Sequence, residues 1–404
     1  MKVLQINAIY EKLSTGKNTK DLHEYLLNEG IDSYVASPIL SGLDTNSYRI
    51  GNALDWKLHA LLSRVSGKQG YFSSVETYKL IQWIDKIAPD VVLLGNVHGN
   101  YLNLPMLLKY ISKKDIATVV VLHDCWFFTG KCTHYDSINC DKWKTCCYEC
   151  PKLKDDNPSW YFDRTREMFK EKERLFDSIN RLAVVGVSRW ITAQAMQAPI
   201  LKNAKVFECI YNWIDLHKFN YQPSKFKEEN DLVGKKVYLG VSAIWNEDKG
   251  LSVFLQLSKL LKEDEVIVLV GTMPNINLPS NVVNIPRTHD ILELVAIYSE
   301  SDIFLQLSCQ ETFGKVVAEA LACNLPVITN RKTANPELVN NACGVVLNNI
   351  TPEEVYSAIV KVNLKREEYS KNCSMFAKEN FDDTVLLEKY KLLFSRILNH
   401  SGGE

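Results

Sequence analysis

The stretch from Ile303 to Ile328, IFLQLSCQETFGKVVAEALACNLPVI, contains the pattern that decides the fold. It begins with a short apolar run, Ile303–Leu307, and ends in a second run that starts at Pro326. Between these runs, residues 314–323 have the apolar spacing of a helix. Short apolar strands separated by a helix are typical of a βαβ unit, in which the strands are parallel and buried on both faces. The stretch therefore predicts a parallel α/β fold.

The same alternation of strands and helices covers the rest of the chain. In the second half, further strands are predicted at Lys236–Ser242, Val266–Val270 and Val282–Ile285, with helices near 250–262, 289–300 and 352–362. In the first half, strands are predicted at Val3–Ala8, Ser33–Ala36, Val91–Leu94, Ala117–Leu122 and Leu182–Val187, with helices near 17–29, 74–88 and 104–114. The pattern restarts once, without a long linker. The sequence therefore predicts two Rossmann-like parallel-sheet domains facing a cleft.

The composition is that of an ordinary globular protein. The 404 residues are 46% hydrophobic and 24% charged, which excludes disordered, collagen-like and coiled-coil proteins. The formal net charge is −1, so no nucleic-acid partner is expected. No apolar run approaches the length of about 18 residues that a membrane helix needs. The first residues, Met1–Asn7, have the pattern of a buried strand and not of a signal peptide, so a cytoplasmic protein with reduced thiols is expected.

Polar residues follow three of the predicted strands. They are Ser14-Thr15-Gly16, His123-Asp124 and Lys249-Gly250. Ligands of parallel sheets bind at the carboxyl ends of the strands, so these residues are candidates for a binding site. Gly16 would permit close approach of a ligand, and a lysine at a helix N-terminus favours a bound anion. The alternatives are an ordinary turn, a loop histidine bonded to backbone, and a solvated lysine.

Two carboxylates make the most specific pattern in the sequence. Glu311 ends the loop after the Ile303–Leu307 strand, and Gly314 allows a tight turn into the next helix. Glu319 lies eight positions after Glu311, about two helical turns along. Two carboxylates on one side of a site hold several hydroxyl groups by charged hydrogen bonds. The pattern therefore predicts a ligand that carries a sugar.

On these residues the chain resembles glycosyltransferase family 4, whose members are retaining, nucleotide-sugar-dependent enzymes with the GT-B fold. The strongest part of the resemblance is the E-x7-E element at Glu311 and Glu319, followed by Ala320–Cys323 and Pro326–Ile328. Weaker elements, in the same order as in the family, are Gly16, His123-Asp124, Asn212–Asp215 with Phe219, and Lys249-Gly250. The chain looks most like the bacterial enzymes that build surface polysaccharide.

The resemblance implies a retaining, metal-independent transfer of a sugar from a nucleotide-diphosphate sugar to a glycan or lipid-linked acceptor. Under this interpretation the catalytic residues are His123, Glu311 and Lys249. The donor would be held by Gly16, Arg287, Thr312, Phe313, Gly314, Lys315 and Glu319. Glu311 would contact the sugar hydroxyls, Glu319 the ribose, and Lys249 the diphosphate. Backbone at 286–288 would hold the base, and no cofactor would be required.

The resemblance also implies a domain division. Residues 1–212 would form an acceptor-side N-terminal domain, and residues 213–383 a C-terminal domain that binds the nucleotide sugar. A final helix in 384–404 would pack back on the first domain. The predicted hinge is the join near Tyr211–Tyr221.

The chain departs from the family at one position. The family usually has an arginine five or six residues before the phosphate-binding lysine, where this chain has Ile244 and Ala243. Either another cation, with Arg287 as the candidate, replaces it, or diphosphate binding is weaker. Two other functions stay open at this stage: a nucleotide-sugar epimerase of the same fold, and a non-catalytic nucleotide-sugar-binding regulator.

Six of the 11 cysteines fall within one short segment. They are Cys125, Cys132, Cys140, Cys146, Cys147 and Cys150. Thiolates of Cys132, Cys140, Cys146 and Cys150 could form a tetrahedral zinc site, and the segment has little apolar content to fold by itself. The alternative is a loop of free thiols, because the spacing is not that of two paired CxxC elements.

A basic amphipathic stretch suggests peripheral contact with the inner face of a membrane. The stretch contains Tyr161, Phe162, Arg164, Arg166, Met168, Phe169, Lys170, Lys172 and Arg174. Such a helix could rest on an anionic membrane and present a lipid-linked acceptor. Residues Trp56–Arg64 suggest the same idea. The alternative is a solvated helix with ion pairs between successive turns.

Overall fold

The computed structural model describes residues 1–40, 42, 46–155, 157–288 and 290–399. The chain divides into two compact α/β units. The first unit comprises Met1–Ile210 and the stretch that begins at Leu387, and the second comprises Tyr211–Leu386.

In the described part of the first unit, seven parallel strands form one sheet in the order β3-β2-β1-β4-β5-β6-β7. The strands are β1 (Lys2–Ile6), β2 (Asp32–Ser37), β3 (Ser47–Arg49), β4 (Val91–Leu94), β5 (Ala117–Leu122), β6 (Leu182–Gly186) and β7 (Val206–Cys209). The helices are α1 (Leu13–Asn28), α2 (Ala53–Ser66), α3 (Ser74–Ile87), α4 (Leu104–Lys114), α5 (Thr165–Asp177) and α6 (Arg189–Met196). The central strands β4, β5 and β6 are buried along their whole length, as their apolar sequences predict.

The described residues of the second unit contain a sheet of six parallel strands in the order β10-β9-β8-β11-β12-β13. The strands are β8 (Lys236–Ile244), β9 (Glu265–Thr272), β10 (Val282–Ile285), β11 (Ile303–Leu305), β12 (Val327–Asn330) and β13 (Gly344–Leu347). The helices are α7 (Phe226–Glu229), α8 (Leu251–Leu257), α9 (Ile291–Glu300), α10 (Lys315–Ala322), α11 (Pro352–Leu364) and α12 (Arg366–Phe381). The last helix, α13 (Asp383–Asn399), begins in this unit and continues in the first. The predicted pair of parallel α/β domains is confirmed.

The start of α1 differs from the sequence-based expectation. The helix begins at Leu13, so Ser14-Thr15-Gly16 belong to its first turn and not to a loop before it. Gly16 is buried, and a Cβ there would lie 3.0 Å from Ile9 Cγ2 and 3.2 Å from Ile9 O. The glycine therefore allows the loop after β1 to pack closely on the helix.

A cluster of aromatic side chains packs inside the cysteine-rich segment. The ring of Trp143 is buried, 5.3 Å from the ring of Phe128 and 4.9 Å from that of Tyr135. Cys132 Sγ lies 4.0 Å from Cys150 Sγ, but no group of three or more His, Cys, Asp or Glu side chains among the described residues could hold a metal ion. The predicted zinc site of Cys132, Cys140, Cys146 and Cys150 is therefore not supported. The aromatic rings give this segment apolar packing that its sequence was not expected to provide.

Two buried lysines connect the same segment to its surroundings. Lys131 Nζ donates hydrogen bonds to three carbonyl oxygens in residues 152–155. Lys172 Nζ donates to Trp126 O at 2.7 Å and to Thr129 O at 2.9 Å, and lies 3.6 Å from the centre of the Trp126 ring. Burial lowers the pKa of Lys172 to about 7 because it removes the ammonium from water.

Helix α5 does not present an apolar face to solvent. Met168, Phe169, Leu175 and Phe176 are buried, and Lys172 is buried with them. Two exposed basic residues of this helix form ion pairs with glutamates one turn away: Lys170 with Glu173, and Arg174 with Glu171. The apolar side of this helix therefore packs inside the unit, and peripheral contact with a membrane stays a prediction. None of the helices in the described ranges is long and apolar enough to cross a bilayer.

We expect Lys172→Met to change how the stability of the first unit depends on pH. Between about pH 7 and the ordinary lysine pKa of 10.5, the unfolded chain holds a proton on Lys172 that the folded chain has lost. The contribution of Lys172 to the free energy of unfolding therefore rises with pH through this window. The unfolding free energy of wild type minus that of Lys172→Met should therefore increase from pH 7 to pH 10. Urea unfolding at several pH values measures this difference.

Lys170→Met is the matched control, because Lys170 is on the exposed side of the same helix. Its difference from wild type should stay constant over this range. A constant difference for Lys172→Met as well would contradict the assignment of a buried lysine with a lowered pKa.

Candidate functional site

The second sheet changes its winding direction between β8 and β11. These strands are neighbours, with Ile303 opposite Tyr238, while the strands that follow them in sequence lie on opposite sides of the pair. Ligands of open α/β sheets bind at the carboxyl ends of such a pair, where the loops diverge. Lys249 follows β8 and Glu311 follows β11, so the two predicted residues lie at this point of the sheet.

A short turn positions Lys249. The residues Glu247–Lys249 form one turn of 3₁₀ helix, and Asn246 caps it by accepting a hydrogen bond from Lys249 N at 3.1 Å. Gly250 then adopts a left-handed conformation with φ of 78°. A Cβ at this position would lie 2.7 Å from Leu307 O, so only glycine lets the turn approach the end of β11 this closely.

Hydrogen bonds connect the loop before Glu311 to the same turn. Cys309 N donates to Asp248 O at 2.8 Å, and Gln310 Nε2 donates to Asp248 Oδ2 at 3.2 Å. On the other side, Glu311 N donates to Thr333 Oγ1 at 2.8 Å. Backbone and side-chain bonds from two other loops therefore fix the position of Glu311.

Lys249 and Glu311 form an ion pair. Lys249 Nζ donates to Glu311 Oε1 at 2.6 Å, and the side chains are 34% and 17% exposed. Their sequence positions led us to expect them at different parts of a ligand and not in contact with each other. An ammonium has three donors, so Lys249 can hold Glu311 and an anion at the same time. The pair also holds the Glu311 carboxylate beside the Lys249 ammonium, which is the group that would bind an anionic ligand.

The N-terminus of α10 is three residues beyond Glu311. Gly314 has φ of 88° and begins the helix, and Lys315 is its first residue. The N–H groups of a first helical turn have no partner within the helix and carry partial positive charge, which suits a phosphate. Thr312 lies between these residues and Glu311. The Phe313 ring, by contrast, is buried 5.8 Å from the Tyr211 ring and 5.6 Å from the Phe381 ring, so only its backbone is available to a ligand.

A buried tyrosine orients Glu319. Tyr298 donates a hydrogen bond from its hydroxyl to Glu319 Oε2 at 3.0 Å. Burial, together with the Glu319 charge, raises the pKa of Tyr298 well above its ordinary value, so the hydroxyl remains a donor. The second oxygen of a carboxylate has its own lone pairs, which suits hydrogen bonds from ligand hydroxyls.

Arg287 lies at the same edge of the sheet but farther from the ion pair. It follows β10, two strands away from β8, and is exposed. Ala243 and Ile244, which occupy the positions where the family usually has arginine, are exposed as well. The structure thus brings Lys249 and Glu311 into contact, and it places Arg287 two strands away from that contact.

The first unit has a polar pair that sequence reasoning missed. His98 follows β4, and Asp124 follows β5, directly after His123. The distance from His98 Nε2 to Asp124 Oδ2 is 2.7 Å. Burial raises the pKa of Asp124, but His98 and the Trp126 N–H lower this pKa by a larger amount. The net result is a pKa below the ordinary value. The signal was available, because His98 also follows a strongly predicted strand. Gly16 and His123 belong to this unit, and their assignment to the reaction stays a prediction.

We expect Gly250→Ala to destabilise the second unit more than Gly234→Ala does. Both glycines have φ near 77°, but a Cβ at Gly234 would meet nothing within 4 Å. The control should therefore cost about 1 kcal/mol of backbone strain. Gly250→Ala must also move the turn away from Leu307 O, which should cost at least about 1 kcal/mol more. Urea unfolding measures both values, and equal costs would show that the close approach is unimportant.

Part of the chain matches a family model, and the chain is similar in sequence to several known proteins. Residues 235–363 match the family model described as "Glycosyl transferases group 1". The chain is 23% identical to the uncharacterized glycosyltransferase MJ1069 of Methanocaldococcus jannaschii, over 60% of this chain and 63% of that protein. It is also 23% identical to the putative colanic acid biosynthesis glycosyl transferase WcaC of Escherichia coli, over 89% of each chain.

A solved structure extends the likeness in fold to nearly the whole chain. Anabaena Alr3699/HepE, solved in complex with UDP-glucose, aligns with a TM-score of 0.66 and 15% identity over 98% of this chain and all of the other. The predicted GT-B fold class is therefore confirmed. In its second unit the chain has the sequence features of the group 1 glycosyltransferases, and over its whole length it has the two-domain fold of solved glycosyltransferases.

Proposed function

We propose that this protein is a retaining glycosyltransferase that moves a sugar from a nucleotide-diphosphate sugar to a glycan or lipid-linked acceptor in polysaccharide biosynthesis. The observation that carries the proposal is the Lys249–Glu311 ion pair beside the N-terminus of α10. The naming of WcaC for colanic acid biosynthesis supports the polysaccharide part, and the UDP-glucose complex of HepE supports the donor class.

Donor binding would use the positive groups at the carboxyl edge of the second sheet. The Lys249 ammonium and the backbone amides of Gly314 and Lys315 would hold the diphosphate. Glu319, oriented by Tyr298, would accept hydrogen bonds from the ribose hydroxyls. Backbone at 286–288 would hold the base, and Arg287 is the candidate for the family's missing arginine.

The charges at the site suit the departure of a nucleoside diphosphate. Negative charge grows on the leaving phosphate oxygen as its bond to the anomeric carbon breaks, and fixed amides and an ammonium stabilise that charge. Glu311 would hold sugar hydroxyls near the reacting carbon. The acceptor oxygen would form its bond on the face that the phosphate leaves, and the acceptor proton would pass to the departing phosphate oxygen, so the anomeric configuration is retained.

We expect Lys249→Met and Glu311→Gln to separate binding from transfer. Loss of the ammonium should weaken binding of the cognate nucleoside diphosphate by about 10- to 100-fold, because a charged hydrogen bond is lost. Glu311→Gln should bind the diphosphate at least as tightly as wild type, since the carboxylate no longer competes for Lys249. Its transfer rate should fall by about 30- to 1000-fold. Calorimetry with UDP, GDP and ADP, and product analysis with the matching sugar donors, measure these values.

Lys259→Met and Glu263→Gln are the matched controls, because both residues are exposed on the same unit. They should leave binding and transfer unchanged. Wild-type transfer by Glu311→Gln, or wild-type diphosphate affinity in Lys249→Met, would remove that residue from the proposed site.

We also expect transfer to continue in excess EDTA. Under the proposal, Lys249 and the amides of α10 neutralise the diphosphate, which is the task that a divalent cation performs in metal-dependent transferases. The measurement is the initial rate with and without EDTA at constant ionic strength. Prompt loss of activity that Mg²⁺ restores would contradict this part of the proposal.

A further inference from the structure

Two cysteines of the cysteine-rich segment lie within reach of each other. Cys132 Sγ and Cys150 Sγ are 4.0 Å apart, although the residues are separated by 18 positions in the chain. Both are free thiols. A disulfide holds its sulfur atoms about 2.05 Å apart, so closing the bond needs the two atoms to approach by only about 2 Å. The pair is therefore a candidate for reversible oxidation.

The chain beside each of the two cysteines is already held in place. Lys131 Nζ donates a hydrogen bond to Lys152 O at 2.9 Å. In the opposite direction, Lys152 Nζ donates to His134 O at 3.1 Å. These bonds join the residues next to Cys132 to the residues next to Cys150. The two sulfur atoms are therefore kept close by contacts that do not depend on a disulfide.

The two thiols differ in exposure and in acidity. Cys132 is 8% accessible, whereas Cys150 is partly exposed. A hydrogen bond from the Cys132 thiol lowers the pKa of Cys150 to about 7; burial and the Asp163 charge oppose this effect, and the Lys152 N–H and the Lys131 ammonium add to it. The same hydrogen bond, together with burial, raises the pKa of Cys132. Near neutral pH, Cys150 is thus partly thiolate while Cys132 stays a thiol.

Other buried cysteines lack this combination of exposure and acidity. Cys147 Sγ accepts a hydrogen bond from Gly130 N at 3.2 Å, but burial raises the pKa of Cys147 to about 12. In the second unit, burial likewise raises the pKa values of Cys343 and Cys373. Reactive cysteines are accessible thiolates that often lie beside a second thiol able to resolve the first product. Cys150 has these properties, with Cys132 as the second thiol.

We propose that Cys132 and Cys150 form a reactive dithiol that is oxidised to a disulfide by exchange with a low-molecular-weight disulfide. The Cys150 thiolate would attack one sulfur of the small disulfide and displace the other as a thiolate, which leaves a mixed disulfide on Cys150. Cys132 would then lose its proton to solvent and attack Cys150 Sγ, which displaces the second small thiolate. Overall, two electrons and two protons pass from the dithiol to the small disulfide, which becomes two thiols.

The disulfide would join the two ends of the loop formed by residues 132–150. Cys125 N donates to Thr133 O at 2.8 Å, so the residue after Cys132 is bonded to the residue after Asp124. Oxidation would therefore fix the chain beside the His98–Asp124 pair. The proposal concerns the first unit alone and does not rest on the proposed sugar transfer, so its test needs no sugar.

The test is incubation of the fully reduced, full-length protein with glutathione disulfide. The intact mass of wild type should show the loss of two hydrogens and no retained glutathione, and dithiothreitol should restore the starting mass. Peptide mapping with fragmentation should locate the bond between Cys132 and Cys150. The initial rate should rise from about pH 6 and level off above about pH 8, because the attacking group is the Cys150 thiolate.

Two variants separate the two steps. Cys132→Ser keeps a hydrogen-bond donor beside Cys150 and removes the resolving thiol, so this variant should stop with one glutathione on Cys150. Cys150→Ser should react at least about tenfold more slowly than wild type and form no disulfide at Cys132. Cys140→Ser, in the same segment, is the matched control and should form the disulfide at the wild-type rate. Thermal unfolding of the reduced proteins checks that each variant is folded.

Three results would overturn the proposal. The first is a wild-type disulfide that maps to another pair of cysteines, or glutathione that stays on wild type. The second is a folded Cys132→Ser variant that retains no glutathione. The third is zinc in the purified wild type with thiols that react only after chelation, because the cysteines would then be metal ligands. The wild-type peptide map does not depend on the variants, so it decides the outcome even where a variant fails to fold.

Discussion

Each sheet changes its winding direction between one pair of neighbouring strands, and this constraint determines where polar side chains can meet. At such a pair the two chain connections leave toward opposite faces, so the loops diverge and their amides and side chains stay accessible. In the second unit the pair is β8 and β11, and in the first it is β1 and β4. The contact between Lys249 and Glu311 is therefore a consequence of strand order, since each residue follows one strand of the pair.

The second unit keeps this junction rigid through backbone contacts. Gly250 lets one loop lie against the end of β11, and Asn246, Asp248 and Thr333 take up the loop N–H groups. Charges held in this way need little rearrangement when a ligand charge appears beside them, which is the physical basis of electrostatic stabilisation in active sites. The junction is thus suited to a ligand whose charge changes during a reaction.

The first unit shows how charge and apolar surface can occupy unexpected places. Lys131 and Lys172 are buried, and their Nζ atoms donate hydrogen bonds to backbone carbonyl oxygens in and directly after the cysteine-rich segment. The leucines of α2 are exposed while polar groups hold the helix from inside. An ammonium is tolerated inside when its donors are paired, and an apolar face is tolerated outside when a partner covers it. Composition alone predicts neither arrangement.

The two parallel sheets could be predicted from the sequence, because strands buried on both faces are mostly apolar and are visible as short apolar runs. The sequence did not predict the edge strands β3, β7 and β13, which are short and partly exposed. It also determined local features, such as the turn at Gly314, since these depend on adjacent residues. The partners of these residues became clear only from the folded chain, which pairs Lys249 with Glu311 across 62 residues and His98 with Asp124 across 26. The outward direction of the α2 leucines was decided in the same way, because periodicity shows that a helix has an apolar face but not which way that face points.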